Sequence, residues 1–223
     1  WSEVHWSKVP GRDAKWKETT IANTSERQFT QEFECEFLGS VDTLITAAKL
    51  RTLTYDDPIT TNGSLDVYEN PIPDHDYIIC VDVSRGLAQD YSAFVVIDIT
   101  RAPWQLVAKY RDKDVRPMIL PNIIYNVATN YNNAYVLTEV NDIGEAVAGS
   151  LFYDVEYENV LMCAMKGRAG QQVGQGFSGN KVQMGVKMSA TVKAQGCSNL
   201  KTLIEDDKLL VKDYNIVSEL TTF

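Results

Sequence analysis

The stretch YIICVDVSRGLAQDYSAFVVIDI, residues 77–99, constrains the fold most strongly, because two apolar runs flank a short polar loop. Both runs, 77–83 and 93–100, are rich in β-branched and aromatic residues, which favours strands. The loop is short enough to join them as an antiparallel hairpin. The first run also contains Asp82. An ionised carboxylate at the end of a buried strand needs a partner or a shifted pKa.

The residues after this hairpin predict an α/β core that extends to the end of the chain. The strands are predicted at 104–111, 134–140, 160–165 and 208–212, and the helices at 117–131, 144–152 and 198–206. A three-strand meander is therefore followed by a helix and by a strand that ends near Glu139. This order predicts a mixed β-sheet flanked by helices.

Residues 1–70 have a different pattern, and we predict a domain boundary at 70/71. Phenylalanines four residues apart within 25–37 predict a helix with one aromatic face, which begins at a capping box and ends at Gly39. Residues 56–70 are polar and rich in turn formers, which predicts a linker or an exposed excursion. The chain begins at Trp1 rather than at methionine, so we expect it to be a fragment of a longer protein.

The charge distribution leaves the question of a nucleic-acid partner open. The net charge of −9 disfavours such a partner. The interval between Glu158 and Glu205, however, contains no acidic residue and holds seven of the 13 glycines. Its basic residues are Lys166, Arg168, Lys181, Lys187, Lys193 and Lys201. A basic, glycine-rich segment is a candidate phosphate-binding surface, and a solvated loop is an equally well supported interpretation.

The sequence disfavours several other classes of protein. No apolar run is long enough to span a bilayer, so no membrane partner is expected. The four cysteines are widely spaced and there are only two histidines, which disfavours a zinc site. We expect reduced cysteines in a cytoplasmic compartment. Walker-type phosphate loops are absent from the sequence, so this chain alone is not expected to hydrolyse ATP.

Two carboxylates at strand ends form the candidate metal site. Asp82 and Glu139 each close an apolar run, and two carboxylates held together repel unless a cation lies between them. Oxygen ligands favour Mg²⁺ or Mn²⁺, and two such ions could support phosphodiester hydrolysis. In the alternative, Asp82 caps its loop and Glu139 pairs with a lysine. Asp90 is expected to brace the hairpin or to approach the metal, and Asp98 to be a turn or surface residue.

Three motifs together resemble the nuclease domain of the large terminase subunit, the DNA-packaging motor of tailed phages, in its T-even-like branch. The motifs are VDVSRGLAQDYSAFVVID, LTEVNDIGEAV and GVKMSATVKAQGCSNLKTLIEDDKLL. The resemblance implies an RNase H-like fold for residues 71–223 and assigns residues 1–70 to the end of the ATPase part and its linker. It also implies that Asp82 and Glu139 bind the metal and catalyse the reaction, with Asp90 and Asn141 in supporting roles.

The resemblance further implies a catalytic aspartate in a His-Asp-Asp stretch that this sequence does not contain. We expect that stretch beyond Phe223. Asp213 is followed by a tyrosine in a Lys-Asp-Tyr turn, which does not match the motif, and it is not proposed as a substitute.

The leading hypothesis is a two-metal endodeoxyribonuclease that cuts concatemeric phage DNA at the initiation and completion of packaging. In this hypothesis Lys166, Arg168, Lys181, Lys187 and Lys193 contact DNA. The alternatives are a DNA-gripping module that acts during translocation and a docking module without activity of its own. The implied partners are double-stranded DNA, the ATPase domain of the same polypeptide, the portal and the small terminase subunit. The implied location is the host cytoplasm, at the portal vertex of the procapsid.

Overall fold

The computed structural model describes residues 6–23, 43–86, 90–165, 171–174 and 182–222. The chain forms two compact units. The larger unit comprises Thr54–Tyr214, and the smaller comprises Trp1–Leu53 together with Asn215–Phe223. The larger unit therefore begins before the boundary predicted after residue 70.

Ten strands form two sheets in the described part of the larger unit. They are β1 (Thr60–Asn62), β2 (Leu65–Val67), β3 (Tyr77–Asp82), β4 (Ser92–Asp98), β5 (Trp104–Asp112), β6 (Tyr135–Thr138), β7 (Met162–Met165), β8 (Gln171–Gly174), β9 (Val182–Met184) and β10 (Leu209–Leu210). The main sheet has the order β1-β2-β5-β4-β3-β6, and β10 pairs with β5. The smaller sheet has the order β8-β7-β9.

Both antiparallel and parallel pairs occur in the main sheet. The strands from β3 to β5 form an antiparallel meander, whereas β6 is parallel to β3 and β10 is parallel to β5. The return from β5 to a strand beside β3 needs a crossover connection, and a helix supplies it.

The helices are α1 (Ala14–Asn23), α2 (Ala47–Leu50), α3 (Leu120–Asn130), α4 (Gly144–Gly149), α5 (Ala190–Glu205) and α6 (Tyr214–Leu220), and a π-helical segment, Ser150–Asp154, follows α4. The crossover helix α3 has Pro121 in its first turn, where a missing N–H costs no hydrogen bond. Among the described residues, no helix combines the length and apolar character that crossing a membrane requires.

One face of the main sheet supplies the core. Alternate residues of β3 are buried, with Tyr77, Ile79 and Val81 at most 4% exposed, as a half-covered strand with period two requires. They belong to one cluster with Ile124 of α3 and Val147 of α4. Burial of each such large side chain contributes about 1.5–3 kcal/mol. The opposite faces of β3 and β6 are only partly covered.

The predicted meander and the strand near Glu139 are confirmed within one or two residues at most ends, as is the mixed sheet flanked by helices. Residues 56–70, predicted as a linker or an exposed excursion, contain the β1–β2 hairpin, in which β1 is exposed and β2 pairs with β5. The helix predicted at 198–206 begins earlier, at Ala190, where Ser189 caps it. The predicted aromatic helix at 25–37 lies outside the described residues.

A buried ion pair joins the end of the larger unit to its sheet. Lys109 Nζ lies 2.5 Å from Asp213 Oδ2 and 3.3 Å from Asp66 Oδ2, and the side chains of Lys109 and Asp213 are 7% and 3% exposed. The Tyr68 hydroxyl donates a hydrogen bond of 2.5 Å to the same Asp213 oxygen. Burial and this contact with Asp213 raise the pKa of Tyr68. Asp213 therefore has a structural role as the shared partner of Lys109 and Tyr68.

We predict that Asp213→Ala lowers the free energy of unfolding by about 3 kcal/mol or more, because it leaves a buried lysine without its closest counter-charge. Urea denaturation measures this difference. Asp206→Ala is the matched control, since its pair with Lys208 is exposed, and its effect is expected to stay below about 1 kcal/mol. Equal effects of the two substitutions would contradict the structural role of Asp213.

Candidate functional site

The two predicted metal-binding acids lie at the ends of adjacent parallel strands. Val81 of β3 is in register with Thr138 of β6, and the Glu139 N–H continues the ladder with a 2.9 Å hydrogen bond to the Val81 carbonyl. Asp82 and Glu139 therefore occupy the next position of the same register. In-register residues of neighbouring strands project from the same face of a sheet, so the fold brings the two side chains together.

The alternation of buried and exposed residues explains why both acids avoid the core. Val81 and Thr138 project into the core and are 4% and 0% exposed. The residues that follow them project from the opposite face, where Asp82 is exposed and Glu139 is half-buried. The pair is therefore accessible to solvent while its strands remain anchored below.

The pKa of Glu139 is raised above its ordinary value. Burial is the largest cause, repulsion by Asp82 adds to it, and attraction by Lys193 opposes it. Proximity of two like charges disfavours ionisation of both, and a cation between them would relieve the repulsion. The charges of Asp82 and Lys193 therefore both act on the Glu139 carboxyl.

Two glycines allow other segments to pack against the backbone that carries Glu139. A Cβ on Gly144 would lie 1.9 Å from the Glu139 carbonyl oxygen, and one on Gly185 would lie 2.2 Å from the Thr138 carbonyl oxygen. Gly185 also has a φ of +100°, which only glycine adopts readily. The close approach at Gly185 lets Val186 donate its N–H to Thr138 and accept that of Val140.

The amide of Asn141 clamps the segment that precedes α5. Its Nδ2 donates to the Met188 carbonyl and its Oδ1 accepts from the Met188 N–H, both at 2.8 Å. Ser189 then accepts a hydrogen bond from the Val192 N–H and caps the helix. Lys193 lies in the first turn of α5, so Asn141 holds the backbone from which Lys193 reaches toward Glu139.

A groove of about 420 Å³ opens beside Asp82. Its lining residues are Asp82, Val83, Ser84, Arg85, Asp90, Tyr91 and Asp142. Asp90 is exposed there and lines the groove with Asp82, but among the described residues it does not join the acid pair in a group that could hold a metal ion. Ser84 and the buried Ser92 supply hydrogen bonds that close the loop, from the Ser84 N–H to Ser92 Oγ at 3.0 Å and between the hydroxyls at 3.2 Å.

Three residues that line this groove, Arg85, Tyr91 and Asp142, have contacts that the sequence reasoning missed. Arg85 forms a two-pronged ion pair with Asp142, and the Arg111 guanidinium lies 4.0 Å from the centre of the Tyr91 ring. Arg85 and Asp142 both fall within the motifs VDVSRG and LTEVND, which was a signal, but their separation of 57 residues hid the contact.

Of the five predicted DNA-binding residues, two lie in the described part of the chain. Lys187 and Lys193 are exposed, and the backbone of Lys187 is held by hydrogen bonds with the Gln171 amide of 2.7 and 2.9 Å. Lys166, Arg168 and Lys181 lie outside the described residues. Asp98, predicted as a turn or surface residue, is instead the last residue of β4, where its half-buried side chain accepts a hydrogen bond from the Thr100 N–H and contacts His75.

The acid pair fits one hard divalent ion. Mg²⁺ is commonly held by one or two carboxylates, with water and substrate phosphates as further ligands. Among the described residues, no group of three or more His, Cys, Asp or Glu side chains could hold a metal ion. Asp213 is engaged with Lys109 and Tyr68, so it does not extend the pair.

Comparison with known proteins gives a family match over most of the chain. The family described as "Terminase RNaseH-like domain" matches residues 79–223. The large terminase subunit of Thermus phage G20c is 26% identical over 224 residues. That alignment covers 98% of this chain and 39% of the relative, so the chain spans about two-fifths of that relative's length.

Solved structures show the same fold. The large terminase nuclease from thermophilic phage G20c with bound cobalt has a TM-score of 0.62 and 24% identity, over 82% of this chain and 81% of that one. The same nuclease with bound magnesium has a TM-score of 0.61 and 23% identity, over 82% and 80% of the two chains. Together with the family match, these structures confirm the predicted RNase H-like fold.

We predict that Gly144→Ala destabilises the protein by more than about 2 kcal/mol, because the added methyl group collides with the Glu139 backbone. Thermal or urea denaturation measures the change. Gly149→Ala is the matched control at the other end of α4, where an added Cβ meets nothing within 4 Å. It is expected to be neutral or stabilising by up to about 1 kcal/mol. A neutral Gly144→Ala would contradict the close packing behind Glu139.

We also predict that Asp82→Asn lowers the pKa of Glu139 and that Lys193→Met raises it. Each substitution removes one of the opposing charges. A ¹³C NMR titration of the Glu139 carboxyl without divalent ions measures both shifts. Because the folded-state pKa of Glu139 is raised, stability present below its unfolded pKa is lost as pH rises through the folded pKa, and Asp82→Asn reduces that loss. Asp98→Asn is the control. An unchanged pKa in both variants would show that these charges do not interact.

Proposed function

This chain belongs to the family of terminase RNase H-like domains, and we propose that it is the metal-dependent DNA endonuclease domain of a phage large terminase subunit. In this proposal it cuts concatemeric phage DNA at the initiation and completion of packaging, and it contacts DNA during translocation. The observation that carries the proposal is the pair Asp82 and Glu139, side by side at the ends of β3 and β6.

Mg²⁺ or Mn²⁺ is the cofactor that fits the oxygen donors of the pair. The related nuclease of phage G20c, solved with bound cobalt and with bound magnesium, supports a divalent ion in this fold. Asp82 and Glu139 would hold the ion. When bound, such an ion activates water and stabilises charge on the scissile phosphate. The second ion of the proposed two-metal mechanism needs oxygen ligands in addition to this pair.

The residues around the pair have separate tasks in this proposal. Lys193 offsets the negative charge at Glu139 and is the best placed described lysine to contact a phosphate near the site. Asn141 fixes the backbone before α5 through Met188, and Asp90 lines the groove beside Asp82. Asn141 and Asp90 are therefore assigned positioning and supporting roles.

Binding of DNA to an acidic protein requires a local basic surface. Distant charges are screened beyond about 8 Å at physiological ionic strength, so a phosphate responds to nearby groups. Lys187 and Lys193 are exposed on either side of Ser189, and we propose that Lys166, Arg168 and Lys181 extend this surface. Contacts with phosphates carry little sequence information, which suits a nuclease of low sequence preference.

The partners, the location and the domain boundary are part of the same proposal. We propose that residues 1–70 connect an ATPase domain of the same polypeptide to this nuclease, and that the motor meets the portal and the small terminase subunit at the portal vertex of the procapsid. The three sequence motifs support assignment to the T-even-like branch. A DNA-gripping or docking module without cleavage activity is the alternative, and the accessible acid pair favours the nuclease.

We predict that Asp82→Ala and Glu139→Ala each reduce DNA cleavage by more than about a hundredfold, since even loss of an outer-shell partner of a metal site typically costs 10- to 100-fold. Nicking of a supercoiled plasmid, with Mg²⁺ or Mn²⁺, measures the effect. The assay compares each variant with the unaltered protein prepared in the same way.

Asp98→Ala is the matched control, because Asp98 also ends an apolar strand but contacts Thr100 and His75 instead of a second acid. Its cleavage rate is expected to stay close to that of the unaltered protein. Cleavage at that rate by the Asp82 or Glu139 variant, or full activity in excess chelator, would refute the proposed metal site. Binding of DNA by a protein that never cleaves it would favour the gripping module.

A further inference from the structure

An ion pair joins the two loops that follow the acid-bearing strands. Arg85 Nε and Nη2 donate hydrogen bonds of 2.6 and 2.9 Å to the two carboxylate oxygens of Asp142. Arg85 lies three residues after Asp82, and Asp142 lies three residues after Glu139. Arg85 and Asp142 both line the groove beside Asp82. The pair therefore lies in the same groove as Asp82.

The ion pair between Arg85 and Asp142 adds little to the stability of the fold, and a phosphate can replace its carboxylate. The side chains of Arg85 and Asp142 are 68% and 58% exposed, and exposed ion pairs contribute little to folding. A guanidinium that grips a carboxylate with two parallel N–H donors offers the same geometry to a phosphate. A DNA phosphate can therefore replace Asp142 on Arg85 without uncovering a buried charge.

We infer that Arg85 is a DNA-phosphate contact and that Asp142 is an internal competitor for its guanidinium. This inference rests on the proposed function, because it requires DNA in the groove. In the free protein Asp142 accepts from the Nε and Nη2 groups of Arg85, and in the complex a backbone phosphate takes its place on these two groups. Arg85 thereby becomes a positioning residue for the strand that enters the site.

A second guanidinium lies beside the groove. Tyr91 lines the groove, and the Arg111 guanidinium lies over its ring at 4.0 Å from the ring centre. Arg111 is therefore a further cationic group close to the groove that Arg85 lines.

The competition is tested by DNA binding in the presence of a chelator, so that cleavage plays no part. Anisotropy of a short fluorescent DNA duplex gives the dissociation constant of the unaltered chain and of Asp142→Asn, Arg85→Gln and the double variant at several salt concentrations. Asp142→Asn is expected to tighten binding by about threefold, the range of one exposed ion pair. Asp142→Asn is expected to leave the salt slope unchanged, because the same phosphate contact forms in both complexes, whereas Arg85→Gln removes that contact and is expected to lower the magnitude of the slope by roughly 1.

Two controls separate competition from a simple change of net charge. Asp114→Asn removes an exposed acid from the loop that Gly86 approaches but outside the groove, and it is expected to tighten binding less than Asp142→Asn. In the Arg85→Gln background, Asp142→Asn is expected to have no larger effect than Asp114→Asn. Thermal denaturation checks that each variant keeps its fold.

The outcomes distinguish this inference from the proposed function. If the unaltered chain binds DNA but Asp142→Asn acts equally with and without Arg85, the pair merely ties the two loops together and the inference is overturned. If the unaltered chain does not bind DNA at any salt concentration, both the inference and the DNA-binding part of the proposed function are overturned. Tighter binding that depends on Arg85 supports the inference.

Discussion

The parallel pairing of β3 with β6 is the constraint on which the site depends. The register of Val81 with Thr138 sets Asp82 beside Glu139, and a shift by one residue would turn either acid toward the core. The crossover through α3 makes this pairing possible, and the glycines at 144 and 185 let the neighbouring backbone close on β6. The position of the acids is thus a property of the sheet and of the segments packed against it.

The repulsion between Asp82 and Glu139 is opposed by the packing of the strands that carry them. The raised pKa of Glu139 shows that its ionised form is disfavoured in the fold, and the buried side chains of Val81 and Val136 hold the strands against that repulsion. Lys193 offsets part of the charge. A cation between the two carboxylates would relieve this repulsion and, by binding the folded chain, would stabilise it.

The sequence predicted the parts of the structure that depend on local pattern. The β-branched runs of the meander and the acid at each strand end are visible without any tertiary information, and the structure confirms the strands. The β1–β2 hairpin could not be predicted in this way, because β1 is exposed and β2 gains its stability by pairing with β5. Tertiary context decides such strands more than propensity does.

The early start of α5 and the ion pair at the groove escaped prediction for different reasons. The helix has only one buried residue, Ile204, among its 16, so no apolar stripe marks its first turns, and the cap at Ser189 defines its start. The contact between Arg85 and Asp142 joins two loops distant in the chain, and no spacing rule reveals it. The roles of these residues follow from the fold and not from their motifs.

The central claim is that Asp82 and Glu139 together hold a divalent ion. The most direct measurement is an anomalous difference map from crystals grown with Mn²⁺, recorded for the unaltered protein and for Asp82→Asn. The account predicts a peak within about 2–2.3 Å of carboxylate oxygens of both residues, and a weaker or absent peak in the variant. A peak that contacts neither acid, or one that keeps its place and strength in Asp82→Asn, would contradict it.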